Sequence, residues 1–215
     1  MLHMPTVGID VRAIVALALL AAFSAGAAAQ DRLPPIAQEK LTEAQKKAAE
    51  QFAALRGNDV FGPFVPLFRS PELMLRVAAV GEYVRYHTVL PPRLSELAIL
   101  IAARQWTQQY EWAAHQPAAL KAGLSADLVK AVAEGHRPDG LTNEEAIVYD
   151  FSTELHTNRS VADPTYARAV AAFGEQGTIE LVGLAGYYTM LAMVLNTART
   201  PLPAGAKPLL GVLPR

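Results

Sequence analysis

Apolar positions along this chain recur at helical spacing and nowhere alternate over a useful length, so the pattern predicts an all-α protein. Thr42-Glu43-Ala44-Gln45 fits a capping box, and the polar, Ala-rich helix behind it stops at Gly57. Phe61 to Phe68 carries Pro63 and Pro66 among aromatics and is expected to be extended and packed on the core. Ser70 as N-cap and Pro71 in the first turn open a helix to about His87. Pro91-Pro92 interrupts the chain, and Leu94 to Trp106 follows with apolar residues on every side, which marks a central, buried helix. Thr107 or Gln108 begins a helix ending at Gly123, in which Pro117 is expected to force a kink or a restart. Ser125 caps a short helix to Glu134, and Thr142-Asn143-Glu144-Glu145 is a second capping box leading to about Leu155. Asp163-Pro164 starts a helix that Gly174 closes, and a last helix covers about Glu175 to Ala198. Its apolar run from Leu181 to Leu195 falls short of the ~20 residues of a membrane span, and Gly183, Gly186 and Tyr187-Tyr188 point to close packing in a core.

The N-terminus has a different character. Arg12, an apolar run from Ala13 to Phe23 and the small residues ending at Ala27-Ala28-Ala29 read as a signal peptide cleaved after Ala29. The mature protein is therefore expected to be periplasmic or secreted, with translation starting at Met1 or Met4. The resulting organisation is a leader over 1–29, a linker and helix over 30–60, a helical domain over 61–203 and a Pro-rich tail over 204–215.

Composition narrows the chemistry. The 215 residues hold 19 Lys and Arg against 20 Asp and Glu, a net charge of −1 that gives no field for nucleic acid. Apolar residues make up 52% and charged residues 18%, a globular composition rather than a disordered one. The absence of cysteine removes disulfides, thiolate nucleophiles, Cys-type zinc sites and iron–sulfur clusters. Neither a phosphate-binding glycine loop nor a G-x-S-x-G elbow is present.

Candidate chemistry lies where polar groups break the apolar pattern. Glu96 sits inside the most apolar helix, where it is either salt-bridged, with Arg93 as its local partner, or raised in pKa by desolvation. Glu111 and His115 are four apart and share one helix face. A carboxylate beside an imidazole can hold one tautomer and raise its basicity; the same residues, with Glu96, could instead supply metal ligands. The bland alternatives are an ordinary Glu96–Arg93 ion pair and a surface Glu111–His115 pair. His87, His136 and His156 fall at helix ends or in loops and are expected to be solvated or capping.

Leu90-Pro91-Pro92-Arg93-Leu94-Ser95-Glu96-Leu97-Ala98-Ile99-Leu100, followed by Tyr110-Glu111-Trp112-Ala113-Ala114-His115, resembles the carboxymuconolactone decarboxylase family within the alkyl hydroperoxidase D-like superfamily. The resemblance covers roughly Phe61 to Pro203 and implies a helical bundle forming homotrimers or homohexamers. In the peroxidase branch a C-x-x-C motif precedes the histidine; here Gln108 and Glu111 occupy the cysteine positions, so thiol–disulfide exchange is excluded. The decarboxylase branch implies cofactor-free proton transfer on a small carboxylate or lactone of the 4-carboxymuconolactone type. On that reading His115, held by Glu111, donates the proton, and Glu96 serves as a second acid or orients His115. Arg93 or Arg104 holds a substrate carboxylate, and Tyr110, Trp112, Tyr187 and Asn196 are candidate pocket walls. A binding protein without catalysis, or a metal site on Glu96, Glu111 and His115, are the alternatives.

Overall fold

A computed structural model describes residues 31–211. The leader, its cleavage point and the last residues of the tail lie outside the described residues. Among those described, eight α-helices and one short 3-10 turn (Gln38–Lys40) account for all the regular structure. The helices are α1 (Glu43–Arg56), α2 (Phe64–Leu67), α3 (Pro71–Tyr86), α4 (Pro92–Gln105), α5 (Gln109–Lys121), α6 (Ala126–Glu134), α7 (Asn143–Asn158) and α8 (Asp163–Ala198).

Local chemistry sets most of the boundaries. Thr42 and Thr142 each close a complete capping box, with Gln45 and Glu145 reaching back to the cap N–H. Ser125 accepts the Leu128 N–H at the start of α6, and left-handed Gly57 and Gly135 end α1 and α6. Gly174, with φ 70 and ψ 175, breaks α8 where the sequence pattern places a stop. α7 runs past Leu155 to Asn158 because Arg159 itself adopts the left-handed cap conformation, φ 58.

α4 is the axis of the fold. Every side chain from Leu94 to Arg104 is buried, and α5, α6, α7 and α8 all pack on it. A helix covered by neighbours on all sides has no face to leave polar, which is why its apolar residues occupy the whole circumference. Each fully buried Leu or Ile contributes roughly 1.5–3 kcal/mol. α8 lays Leu181, Leu184, Tyr188, Leu191 and Leu195 into the core as a stripe at helical spacing, so its long apolar run is largely a packing surface.

Three local expectations are corrected. Phe61 to Phe68 is not extended: it folds into a turn and the short helix α2, because Pro63 stands just ahead of the helix and Pro66 in its first turn, where no N–H is required. Ser70 occupies the N-cap position of α3, but its side chain makes no capping bond. α5 continues unbroken from Gln109 to Lys121 through Pro117.

Candidate active site

The turn between α4 and α5 creates the site. Thr107 is held at φ 46, an unusual conformation for a β-branched residue, by hydrogen bonds that surround it. Arg104 Nη2 donates to Thr107 Oγ1 at 3.1 Å, and Gln108 N donates to Ala103 O at 2.8 Å. The Gln108 side chain caps α5 through Tyr110 N and donates to Asn196 Oδ1 at 2.8 Å. Asn196 Nδ2 in turn donates to Trp106 O at 3.2 Å. This tight reversal folds α5 back along α4 and sets His115 beside Glu96.

Glu96, Glu111 and His115 are all buried and meet as one cluster. His115 Nδ1 hydrogen-bonds to Glu96 Oε2 at 2.8 Å. That bond orients the ring and turns Nε2 toward Glu111. Nε2 faces Glu111 Oε2 at 3.6 Å, beyond hydrogen-bond distance, and the other Glu111 oxygen, Oε1, is buried without a partner. Burial pushes the Glu111 carboxyl up in pKa; His115 and Arg85 oppose that shift without cancelling it. Glu111 is thus the carboxyl poised to keep its proton, while Glu96 orients the imidazole.

The surroundings come from distant parts of the chain. Tyr188 sets its ring edge-on to His115, 4.9 Å between centroids, and Tyr187 stands perpendicular to Tyr188 at 5.2 Å. Burial raises the pKa of both phenols, so they stay neutral. Tyr187 can enter only because residue 81 is glycine: a Cβ there would lie 2.1 Å from the Tyr187 hydroxyl oxygen. Tyr110 is half-buried beside Gly62, and its pKa is raised by burial and by the nearby Glu111 charge. Arg85 Nη2 is 3.4 Å from Glu96 Oε1 and is the ion-pair partner that Arg93 was expected to be.

Several expected site residues are occupied elsewhere. Arg93 pairs with Glu144 and Glu145 at the start of α7. The buried Arg104 donates to Ala133 O, Gly211 O and Thr107 Oγ1, bracing the turn and the tail. Trp112 is core and lines a separate cleft with Leu120 and Val129. Asn196 belongs to the turn lock described above. His156 is half-buried, and its pKa is lowered by desolvation, contrary to the solvated role expected for it. Tyr188 and Arg85 were missed. Tyr188 was legible as a member of the Leu181, Leu184, Leu191 stripe, whereas nothing in the local pattern ties Arg85 to Glu96. Among the described residues no three His, Asp or Glu side chains converge as a metal-binding group.

The model of the carboxymuconolactone decarboxylase family matches residues 71–148, which span Glu96, Glu111 and His115. Two solved structures share the alkyl hydroperoxidase D-like fold. A variant of the debrominase Bmp8 in complex with 2,3,4-tribromopyrrole aligns with a TM-score of 0.62 at 13% identity, covering 82% of this chain and 94% of its own. The same debrominase without ligand gives 0.61 at 14% identity, covering 81% and 94%. No curated protein matches the chain in sequence. The family segment ends inside α7, so Tyr187 and Tyr188 on α8 and everything on α1 are supplied from outside it.

Proposed function

We propose that this protein is a cofactor-independent lyase that decarboxylates a small carboxylate or lactone of the 4-carboxymuconolactone type. The observation that carries the reading is the buried Glu96–His115–Glu111 array, in which one carboxyl orients the imidazole and the other is pushed toward its protonated form. In the reaction the C–C bond to the substrate carboxylate breaks, carbon dioxide leaves, and the electron pair remains as a dienolate. A proton from Glu111, carried directly or through His115 Nε2, then forms the new C–H bond, and water reprotonates the site. With no cysteine in the chain, thiol–disulfide exchange is unavailable to it.

The same reading includes export by the leader and assembly into a homo-oligomer. Support for a second copy comes from exposed apolar residues on α3 and α8, namely Leu73, Val80, Ile179, Val182 and Met193. Carbon dioxide release from 4-carboxymuconolactone tests the proposal. Turnover is expected in the wild type and not in His115→Gln; equal turnover in both removes the assigned site.

A further inference from the structure

A second feature adjoins the site and lies partly outside the family segment. A surface pocket of about 310 Å³ opens where the end of α1 meets the last turn of α3. Two arginines, Arg56 and Arg85, line it together with Glu82, Tyr86, Leu55 and Phe61.

Arg56 is unusual there. Its side chain is only 8% exposed, yet Nη1 has no hydrogen-bond partner. The nearest carboxylate oxygen, on Glu82, is 3.6 Å away, close enough for charge attraction and too far for a hydrogen bond. A buried guanidinium N–H left unmatched costs stability, and natural proteins retain such groups chiefly where something else completes them. Left-handed Gly57 ends α1 directly after Arg56 and turns the chain away. The guanidinium stacks over Phe64 and Tyr86, 5.7 and 5.8 Å from the ring centroids, which fixes its plane. Arg85 covers the same Tyr86 ring at 5.3 Å and reaches Glu96 from the other side. Two guanidinium groups therefore flank one aromatic ring, against a single carboxylate, Glu82, in the pocket itself. His87 Nε2 also approaches Glu82, at 3.8 Å.

We propose that this pocket is the anion subsite of the enzyme, taking one carboxylate of a small organic anion between Arg56 and Arg85. The carboxylate meets the part of the Arg56 guanidinium that lines the pocket, and the hydrocarbon part lies against Leu55, Phe61 and Tyr86. Planar guanidinium groups suit a carboxylate in both charge and shape. Because Arg85 also bonds Glu96, the bound anion sits one side chain from the imidazole's orienting carboxylate. Substrate selection then depends on α1, a helix outside the family segment. The claim that the bound anion is the substrate rests on the lyase reading; the claim of an anion site does not.

Calorimetric titration of the full chain with benzoate, and with benzamide as its neutral isostere, tests the subsite. Benzoate is expected to bind at least tenfold more tightly than benzamide, and Arg56→Gln to weaken benzoate at least tenfold with little effect on benzamide. Glu82→Gln, which frees Arg56 from its competing carboxylate, is expected to tighten benzoate severalfold, an effect that damage to the fold does not produce. Equal binding of the two ligands, unchanged benzoate affinity in Arg56→Gln, or no tightening in Glu82→Gln overturns the subsite. Selective benzoate binding without any decarboxylation overturns the lyase reading alone. Turnover with an unaltered KM in Arg56→Gln overturns the claim that the bound anion is the substrate.

Discussion

Glu180 offers the sharpest test of how the segment leading into α4 is held in place. Its carboxylate accepts four hydrogen bonds: from the Tyr83 hydroxyl, Thr88 Oγ1 and Val89 N at 2.7 Å each, and from Gln176 Nε2 at 2.8 Å. Desolvation favours the neutral acid, but the four donors outweigh it and hold the pKa at about 2, against an ordinary value of 4.5. A step of that size corresponds to roughly 3 kcal/mol before screening. Glu180 is 7% exposed, and residual solvent screening reduces the contribution to ~1–2 kcal/mol. Since the folded pKa is the depressed one, this stability is fully present above about pH 4.5 and is lost as pH falls toward about 2. In Glu180→Gln the amide nitrogen replaces one accepting oxygen and faces donors it cannot satisfy. Urea unfolding at pH 7 is expected to show the variant ~1–2 kcal/mol less stable than wild type. At pH 2.5 the two should have nearly converged. A difference that stays constant between pH 7 and 2.5 refutes the argument that the ionised carboxylate is what the four donors stabilise.

Two further substitutions probe the packing of the site. Glu96→Ala removes the acceptor of the His115 Nδ1 hydrogen bond and the partner of Arg85, and is expected to cost ~1–3 kcal/mol in denaturant unfolding; a loss under ~0.5 kcal/mol contradicts the buried pairing. Gly81→Ala gains about 1 kcal/mol of helix propensity but drives a Cβ to within 2.1 Å of the Tyr187 hydroxyl oxygen. Net destabilisation of ~1–3 kcal/mol is expected, and a rise in melting temperature contradicts the close approach of α3 and α8.

The sequence carries those parts of the fold that local chemistry decides. Thr42, Ser125 and Thr142 announce helix starts because their side chains satisfy N–H groups two or three residues on, and Gly57, Gly135 and Gly174 announce ends because they take left-handed φ at no steric cost. The burial of α4 is equally visible in its unbroken apolar surface. Pro66 misleads because a proline in a first turn looks, from sequence, like one that breaks a helix. At the site, the Glu96, Glu111 and His115 set is legible as polar residues out of pattern, but its internal roles are not. Arg93 lies one turn from Glu96 in sequence, yet the structure pairs Arg93 with α7 and brings Arg85 across from α3. Long-range packing, invisible to helical spacing, also buries Glu111 deeply enough to push its carboxyl up in pKa. Arg104 and Asn196 are conspicuous polar residues beside the site, and their work is to hold the Thr107 turn that builds it.

The central claim is that Glu111 is the protonated acid of a proton-transfer lyase, and the pH dependence of carbon dioxide release from 4-carboxymuconolactone tests it most directly. Burial raises the Glu111 pKa, so kcat is predicted to fall as pH rises through the Glu111 titration, at higher pH than for an exposed carboxyl. Glu111→Gln and His115→Gln are each predicted to lose ~100-fold or more in kcat while keeping the wild-type circular dichroism spectrum. Full turnover in Glu111→Gln, with the alkaline decline unchanged, contradicts the account.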